Sequence, residues 1–183
     1  MPETLTSLAD RILALPASAG ETILVGIDGG GGSGKSTFAA WLGACLPGSV
    51  VIHTDDFASW DNPTDWWPRL LSQVLVPLAE GRPARYQRYD WPSEQLAEWH
   101  EVSAKVVLLE GVTATRREFR PYLAYRIWVD CPAVLRLKRG LERDGAEALE
   151  LWRGWMAAED AYAAEHQPRE HADLLVDGTQ PVA

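Results

Sequence analysis

The chain alternates between short continuous apolar runs and longer stretches in which apolar residues return at helical spacing. The continuous runs have the length and the β-branched content of buried strands. They lie at residues 22–27, 50–53, 105–110, 125–130 and 172–176. Because helix-like stretches separate them, the pattern predicts an α/β fold in which a five-stranded parallel sheet carries helices on both faces.

The apolar periodicity predicts helices at residues 1–16, 36–46, 63–81, 132–143 and 147–166. The third of these contains Pro77, which we expect to kink or end the helix. Residues 84–102 differ, because their aromatic residues alternate around Pro92 and Ser93. This alternation around a turn predicts a β-hairpin outside the main sheet.

The most informative stretch joins the first strand to the second helix and reads Gly-Gly-Gly-Gly-Ser-Gly-Lys-Ser-Thr over residues 29–37. It fits the P-loop pattern G-x-x-x-x-G-K-[ST]. A strand before it and a helix after it form the context that the motif requires. The alternative is a flexible glycine-rich linker, which these flanking elements disfavour.

The residue types of this loop suit the binding of phosphate. Glycines let the backbone turn successive N–H groups towards an anion, and the helix that follows adds the positive end of its dipole. Lys35 is expected to reach the β- and γ-phosphates, and the Ser36 hydroxyl to ligate Mg²⁺. The predicted nucleotide-binding residues are Gly29, Gly30, Gly31, Gly32, Ser33, Gly34, Lys35, Ser36 and Thr37.

Carboxylates follow two of the predicted strands: Asp55 and Asp56 come after the second, and Glu110 ends the third. Ligands of open α/β sheets bind at this edge. Glu110 fits the Walker B position, and Asp55 suits either a base for an acceptor hydroxyl or a water-mediated metal contact. Solvated residues at strand ends are the alternative. The predicted metal ligands are Ser36, Asp55 and Glu110.

Arginines and tryptophans mark two further stretches. Arg136, Arg139 and Arg143 share one face of a predicted helix. They indicate either surface residues or a lid, about residues 136–155, whose charges neutralise a transferring phosphoryl group. Five of the nine tryptophans lie between the second and third strands. They favour equally an aromatic acceptor pocket and the packing of the hairpin on its helix.

Composition narrows the class of protein. The length of 183 residues suits a single domain, residues 1–183, with a sizeable core. A net charge of −9 argues against nucleic acid as the main partner. Two widely separated cysteines suit a reducing, cytoplasmic environment, and no run is long enough to span a membrane. We therefore expect a small-molecule partner and no membrane, with a homo-oligomer as a possible assembly.

Motifs in order along residues 23–178 resemble those of the uridine kinase family of P-loop kinases, whose relatives include phosphoribulokinase and bacterial pantothenate kinase. Asp55-Asp56-Phe57 resembles the family's Asp-Ser-Phe, Tyr89-Asp90-Trp91 its Tyr-Asp-Phe, and Leu109-Glu110-Gly111 its Glu-Gly strand end. The family's Asp-His-Pro-Asp stretch, arginine-rich lid and final Ala-Asp strand are similar to residues 61–65, 136–144 and 172–174.

The resemblance implies a P-loop NTPase-type three-layer sandwich with strand order 2-3-1-4-5, a small β-hairpin and a helical lid. It also implies that Asp55 is the catalytic base, that Asp61 binds sugar hydroxyls of the acceptor, and that Glu110 serves Mg²⁺. The acceptor-side helix and hairpin would then span about residues 61–102. The predicted acceptor-binding residues are Asp61, Tyr89, Glu94 and Arg136.

Three departures from the family concern the acceptor. The segment 56–61 is shorter than in uridine kinases, and residues 145–148 replace their Arg- and Gly-containing lid extension. Glu94 stands where uridine kinases carry a histidine that contacts the base. The parts for phosphoryl transfer are therefore kept, whereas those that read a nucleobase are not.

These observations predict an ATP- and Mg²⁺-dependent kinase that phosphorylates a hydroxyl of a small, nucleoside-like or other polyhydroxy acceptor. Its predicted catalytic residues are Lys35, Asp55, Arg139 and Arg143. The alternative is a nucleotide-dependent ATPase switch or regulatory protein without a small-molecule acceptor. A GTPase is disfavoured, because the chain has no Asn-Lys-x-Asp sequence to bind guanine.

Overall fold

The apolar runs form the central sheet in the computed structural model, which describes residues 4–180. The strands of this part of the chain are β1 (Ile23–Asp28), β2 (Val50–His53), β3 (Ala84–Asp90), β4 (Gln95–Val102), β5 (Val106–Glu110), β6 (Tyr125–Asp130) and β7 (Leu174–Asp177). Five of them form a parallel sheet in the order β2-β5-β1-β6-β7. Counted along the sheet's own five strands, this is 2-3-1-4-5, so the predicted topology is confirmed.

The sheet is covered on both faces because side chains alternate along each strand. Val106 and Leu108 of β5 face one apolar cluster, whereas Val107 and Leu109 face the other. The first cluster includes helices α1 (Leu5–Leu13) and α2 (Lys35–Ala44), and the second lies beneath the hairpin. Both layers predicted to flank the sheet are therefore present.

Helix α3 (Trp67–Leu70) and α4 (Val76–Ala79) replace the single long helix predicted from residue 63. The helix begins later than expected, because Asn62 folds the chain into a turn by accepting a hydrogen bond from the Asp65 amide at 2.9 Å. A π turn, Leu71–Leu75, joins the two helical segments. Helical backbone continues through Pro77 to Ala79, so the helix does not end at the proline, and the widened turn directly before this residue without an N–H is a distortion of the kind that kinks a helix.

Strands β3 and β4 pair antiparallel as a separate two-stranded sheet, with Ala84 opposite Val102 and Asp90 opposite Gln95. This hairpin was predicted. Its buried Tyr86 stacks on Phe57, with ring centroids 5.0 Å apart. The hairpin is therefore fixed to the segment that follows β2.

The last two helices are α5 (Ala133–Asp144) and α6 (Leu149–His166), close to their predicted bounds. A short 3₁₀ turn, Ala146–Ala148, joins them. Among residues 4–180, none of the helices combines the length and apolar character that a membrane crossing requires.

Candidate active site

The glycine-rich loop connects the end of β1 to the start of α2. Gly32 and Gly34 adopt φ values of 76° and 95°, a left-handed region that favours glycine. Gly34 caps α2, so the helix begins at Lys35 with its N-terminus towards the loop. The Lys35 side chain is buried and folds back over the loop, with Nζ 3.5 Å from the Gly30 carbonyl oxygen. A helix N-terminus and one cation therefore lie together at the loop, as anion binding requires.

The rear of this loop is held by two buried, oppositely charged side chains from the last two helices. Glu159 of α6 accepts a hydrogen bond from the Gly31 amide at 2.7 Å and another from Arg136 of α5 at 2.5 Å. A Cβ atom on Gly30 would collide with the Arg136 guanidinium. Arg136, predicted to bind the acceptor, therefore lies behind the phosphate loop and does not line the cavity in front of it.

Ser36, Glu110 and His53 form a hydrogen-bonded row at the carboxyl ends of β5 and β2. The Ser36 hydroxyl donates to Glu110 at 3.0 Å, and Nδ1 of His53 lies 2.6 Å from the other Glu110 oxygen. Parallel pairing places His53 opposite Glu110, which explains the contact. Burial acts to raise the pKa of Glu110, but its bonds to His53 and Ser36 and the Lys35 charge outweigh burial and lower it. Glu110 is therefore a carboxylate at neutral pH.

This row fits the needs of Mg²⁺. In nucleotide sites Mg²⁺ is commonly held by one or two protein oxygens together with phosphate oxygens and water. A hydroxyl and an ionised carboxylate side by side, as in Ser36 and Glu110, are such oxygen ligands. Within residues 4–180, no group of three or more His, Cys, Asp or Glu side chains is arranged to hold a metal ion by itself.

Asp55 lies just past β2, in the short 3₁₀ turn Thr54–Asp56, and lines the same cavity as the glycine loop. Its side chain is open to the cavity, yet protein atoms crowd around the carboxyl group. This crowding raises the pKa of Asp55; the positive charge of Lys35 acts against the rise, and the negative charge of Glu110 adds to it. A carboxylate with an elevated pKa beside a phosphate site is suited to accept a proton.

Asp56 has a different environment from its neighbour. One of its carboxyl oxygens accepts a hydrogen bond from Tyr86 of the hairpin at 2.8 Å, and its backbone carbonyl accepts one from Arg69 at 2.9 Å. The Arg69 guanidinium lies 4.6 Å from the centre of the Phe57 ring. Asp56 thus ties the hairpin and α3 to the end of β2, and it does not line the cavity.

The other two arginines of the α5 face do line the cavity. Arg139 donates to the carbonyl oxygens of Gly32, at 3.2 Å, and Gly178, at 2.9 Å. Arg143 pairs with Asp144 at 2.7 Å, and its guanidinium lies 5.6 Å from the centre of the Trp152 ring. Hydrogen bonding to Asp144 raises the pKa of Arg143. Both arginines therefore have polar partners, and both line a cavity of about 840 Å³ that the glycine loop also lines.

Four tryptophans also line this cavity: Trp60, Trp91 and Trp155 lie together, whereas Trp152 packs against Gly31, Gly140 and Arg143. The Trp60 ring lies 5.6 Å from that of Trp91 and 5.5 Å from that of Trp155, nearly perpendicular to both. The Trp91 indole N–H donates to the backbone carbonyl of Asp55 at 2.9 Å. The aromatic wall is therefore fixed directly beside Asp55.

Three predicted acceptor-binding residues lie together at the hairpin end, outside the residues that line the cavity. Asp61 is exposed and accepts a hydrogen bond from Ser59 at 2.6 Å. Glu94 is exposed in the hairpin turn, with φ of 54°. Burial raises the pKa of Tyr89, and the nearby charges of Glu94 and Asp61 add to the rise.

Five side chains of this region carry no role in the sequence predictions: His53, Trp152, Trp155, Glu159 and Asp28. Asp28, at the end of β1, is fully buried and accepts hydrogen bonds from Gly29, Thr113, Thr115 and Tyr162. Burial raises its pKa, and the hydrogen bond from Tyr162 acts against the rise. His53 and Asp28 could have been found as polar residues at strand ends, whereas Trp152 and Glu159 have no such signal.

Known proteins similar to this chain include several kinases, although no protein-family model matches it. The chain is 30% identical to the uridine kinase of Staphylococcus carnosus (strain TM300) over 145 residues, which are 69% of this chain and 70% of that protein. It is 29% identical over 146 residues to the inorganic pyrophosphatase TTM1 of Arabidopsis thaliana, and spans only 22% of that protein's length.

The chain is also similar in fold to a solved structure. The solved structure described as a possible uridine kinase from Bacillus stearothermophilus matches this chain with a TM-score of 0.69. The match covers 94% of this chain and 97% of that one, at 23% sequence identity. The two chains share the fold of the P-loop kinases.

Proposed function

The chain belongs to the uridine kinase family of P-loop kinases, and we propose that it transfers the γ-phosphoryl group of ATP to a hydroxyl group of a small molecule. One observation carries the proposal: a single cavity is lined both by the glycine loop with Lys35 and by the carboxyl group of Asp55. The first is suited to hold a triphosphate and the second to accept a proton. A kinase needs both at once.

In the proposed mechanism, the loop amides and Lys35 hold the β- and γ-phosphates, and Asp55 orients the acceptor hydroxyl. The Asp55 carboxylate takes the hydroxyl proton as the oxygen bonds to the γ-phosphorus. The bond from that phosphorus to the β–γ bridging oxygen breaks, and ADP leaves with the electron pair. Arg143 and Arg139 neutralise the charge that spreads over the transferring group.

Mg²⁺ would be held by Ser36 and Glu110, with Asp55 close by, and it supplies neutralisation of the phosphate charge when bound. His53 keeps Glu110 oriented through its 2.6 Å contact. The lid of this proposal comprises residues 136–155. The start of the lid is fixed by the contact of Arg136 with Glu159. Arg143 pairs with its neighbour Asp144 and lies against the Trp152 ring, and from there it can turn towards ATP.

The experiment that tests the proposal measures ADP release from MgATP with and without a library of alcohols that contains nucleosides, sugars and vitamin precursors. A kinase releases ADP in proportion to the phosphorylated acceptor, and we expect at least one alcohol to stimulate release. Lys35→Ala should abolish release while circular dichroism shows a folded protein. ATP hydrolysis that no acceptor stimulates would favour the ATPase switch instead.

We expect uridine itself to be a poor acceptor. A pyrimidine is recognised by hydrogen bonds to its edge, and each polar group left unpaired in a closed site is unfavourable by about 1–3 kcal/mol. Glu94 stands where the family has a histidine, lies exposed outside the cavity and, when ionised, only accepts hydrogen bonds, so it does not supply the donor that a uracil carbonyl needs. Steady-state kinetics should give a kcat/KM for uridine below ~10⁴ M⁻¹s⁻¹, under the range of ordinary enzyme–substrate pairs. A higher value would assign this chain the uridine specificity of its relatives.

A further inference from the structure

Resting on the proposed function, we propose that the acceptor is an alcohol with a flat aromatic ring system, bound through its ring faces by the tryptophan wall. The wall is defined as Trp60, Trp91 and Trp155, whose ring centroids lie 5.5–6.0 Å from one another. It consists of residues from three separate segments: the turn before α3, the hairpin tip, and α6. Their convergence on one side of the cavity is a property of the fold that no local packing of the hairpin on its own helix requires.

The position of the wall relative to the catalytic carboxylate determines how an acceptor would lie. The indole N–H of Trp91 donates to the backbone carbonyl of Asp55, so one residue of the wall is bonded directly to the residue proposed as the base. A ring stacked on the wall therefore presents a hydroxyl group on a short arm to the Asp55 carboxylate. Trp155 is almost completely buried and fixes the wall, whereas Trp60 is 38% exposed and presents ring surface to the cavity.

The polar groups of the cavity do not suit recognition of a pyrimidine edge. Among the described residues that line it, Asn, Gln, His and Tyr are absent. Asp144 is already hydrogen-bonded to Arg143 and Trp152, and the Trp91 N–H is also occupied. The other carboxylates of the lining, Asp55 and Glu147, accept hydrogen bonds when ionised but offer no donor to a uracil carbonyl, whereas an aromatic face gains contact with indole rings.

The residues that the family resemblance assigns to ribose and base lie elsewhere. Asp61 and Glu94 are exposed at the hairpin end, Tyr89 lies edge-on against Trp91 with ring centroids 5.6 Å apart but does not line the cavity, and Arg136 lies behind the glycine loop. Aromatic stacking is tolerant of ring chemistry because every flat ring offers a π-face. The acceptor is thus selected by the shape of its ring and by the distance between that ring and the hydroxyl group.

The test uses isothermal titration calorimetry on the full chain saturated with Mg²⁺ and a non-hydrolysable ATP analogue, AMP-PNP. The probes are tryptophol, a flat indole with a two-carbon primary alcohol; 2-cyclohexylethanol, with a puckered saturated ring; ribitol; and uridine. We expect tryptophol to bind at least about tenfold more tightly than 2-cyclohexylethanol and ribitol, the effect expected of one stacked ring. Uridine has a flat ring of its own, so measurable uridine binding that Trp60→Ala weakens supports the inference. Binding of 2-cyclohexylethanol or ribitol as tight as that of tryptophol overturns it.

Variants locate the binding. Trp60→Ala should weaken tryptophol binding about tenfold, and Trp60→Phe, which keeps an aromatic face, should restore most of it. Trp41→Ala is the matched control, since Trp41 has the same 38% exposure but lies on α2 outside the cavity. Equal affinities in Trp60→Ala and the parent chain overturn the inference. Failure of AMP-PNP to bind is a separate result, which refutes the proposed nucleotide site.

Discussion

Two adjacent aspartates after β2 have opposite surroundings, and this difference separates a chemical role from a structural one. Asp55 lines the cavity, and the Trp91 N–H bonds to its backbone carbonyl and not to its carboxyl group. Asp56 accepts the Tyr86 hydroxyl and does not face the cavity. Substituting each by its amide therefore distinguishes the two.

Asp55→Asn removes the proposed base but keeps the size of the side chain. We expect the rate of phosphoryl transfer to fall by roughly 10²–10⁴-fold, the usual contribution of a positioned base, with the affinity for ATP almost unchanged. Asp56→Asn should slow transfer much less and should instead lower the melting temperature, because the Tyr86 bond weakens. Single-turnover kinetics and thermal unfolding measure the two effects. The reverse ranking in transfer rate would exchange the two roles.

The raised pKa of Asp55 predicts how the rate of phosphoryl transfer depends on pH. Only the ionised form of Asp55 accepts a proton, and burial raises its pKa above the ordinary value of an aspartate. Activity should therefore fall as the pH falls through this raised pKa, at a higher pH than an unperturbed aspartate would give. The profile of kcat against pH measures this acid limb. An acid limb that persists unchanged in the residual activity of Asp55→Asn would assign it to another group.

Single residues differ in how well the sequence predicted them. The residues of the glycine loop, Asp55 and Glu110 were predictable, because each lies in a short local pattern of strand, turn and helix. Glu159 was not, because its partner, the Gly31 amide, is 128 positions away. In α2, Trp41 recurs at helical spacing with Phe38 and Leu42, yet it is exposed whereas those two are buried. Helical spacing alone does not say how far a buried face extends around a helix.

At the scale of elements, the glycine loop and the helix pair α5–α6 behave as one packed unit. Three consecutive glycines each approach atoms of these helices: Gly30 and Gly32 approach Arg136, and Gly31 approaches Trp152 and Glu159. A minimal P-loop pattern leaves these positions open to any residue. Close packing of the lid helices on the loop thus explains the three glycines that follow Gly29.

This packing predicts a large difference between two glycine-to-alanine substitutions. Gly30→Ala places a methyl group against the Arg136 guanidinium and should displace the loop. Overpacking of this kind is typically unfavourable by about 1–3 kcal/mol, so we expect AMP-PNP affinity to fall about tenfold. Gly154→Ala, in α6, is the control because nothing lies within 4 Å of its added Cβ atom. It should leave affinity unchanged and stabilise the fold by about 0.5–1 kcal/mol.

Calorimetric titration of AMP-PNP compares the two variants, and thermal unfolding measures their stability. Equal affinities in Gly30→Ala and Gly154→Ala would mean that the loop moves freely away from α5. The lid helices would then be packed on the loop without positioning it. Sequence patterns predicted both elements, but not their contact, because side chains from α5 and α6 meet the loop only after the chain has folded.

At the scale of the whole molecule, α6 links the two halves of the cavity. Near its middle, Trp155 belongs to the tryptophan wall, and one turn later Glu159 holds the Gly31 amide. The sheet topology places β1, β2 and β5 with their carboxyl ends together beneath both halves. The apolar runs located the five strands, and the resemblance to the uridine kinase family supplied their order, because hydrophobic patterning alone does not order strands within a sheet. The shape of the acceptor half depends on long-range packing and was not predictable.

Because both halves are built on the same sheet and the same helix, nucleotide binding should stabilise the molecule as a whole. A ligand that binds only the folded state at 100 times its Kd adds about 2.7 kcal/mol to the free energy of unfolding. For a chain of this length that corresponds to a rise in melting temperature of roughly 5–10 °C. Differential scanning calorimetry with Mg²⁺ and AMP-PNP measures the rise. Lys35→Met keeps the aliphatic stem of the buried lysine but removes its charge, so its ligand-free melting temperature should stay close to that of the parent chain. At the same AMP-PNP concentration, most of the rise should disappear in this variant; an undiminished rise would mean that the nucleotide binds away from the glycine loop.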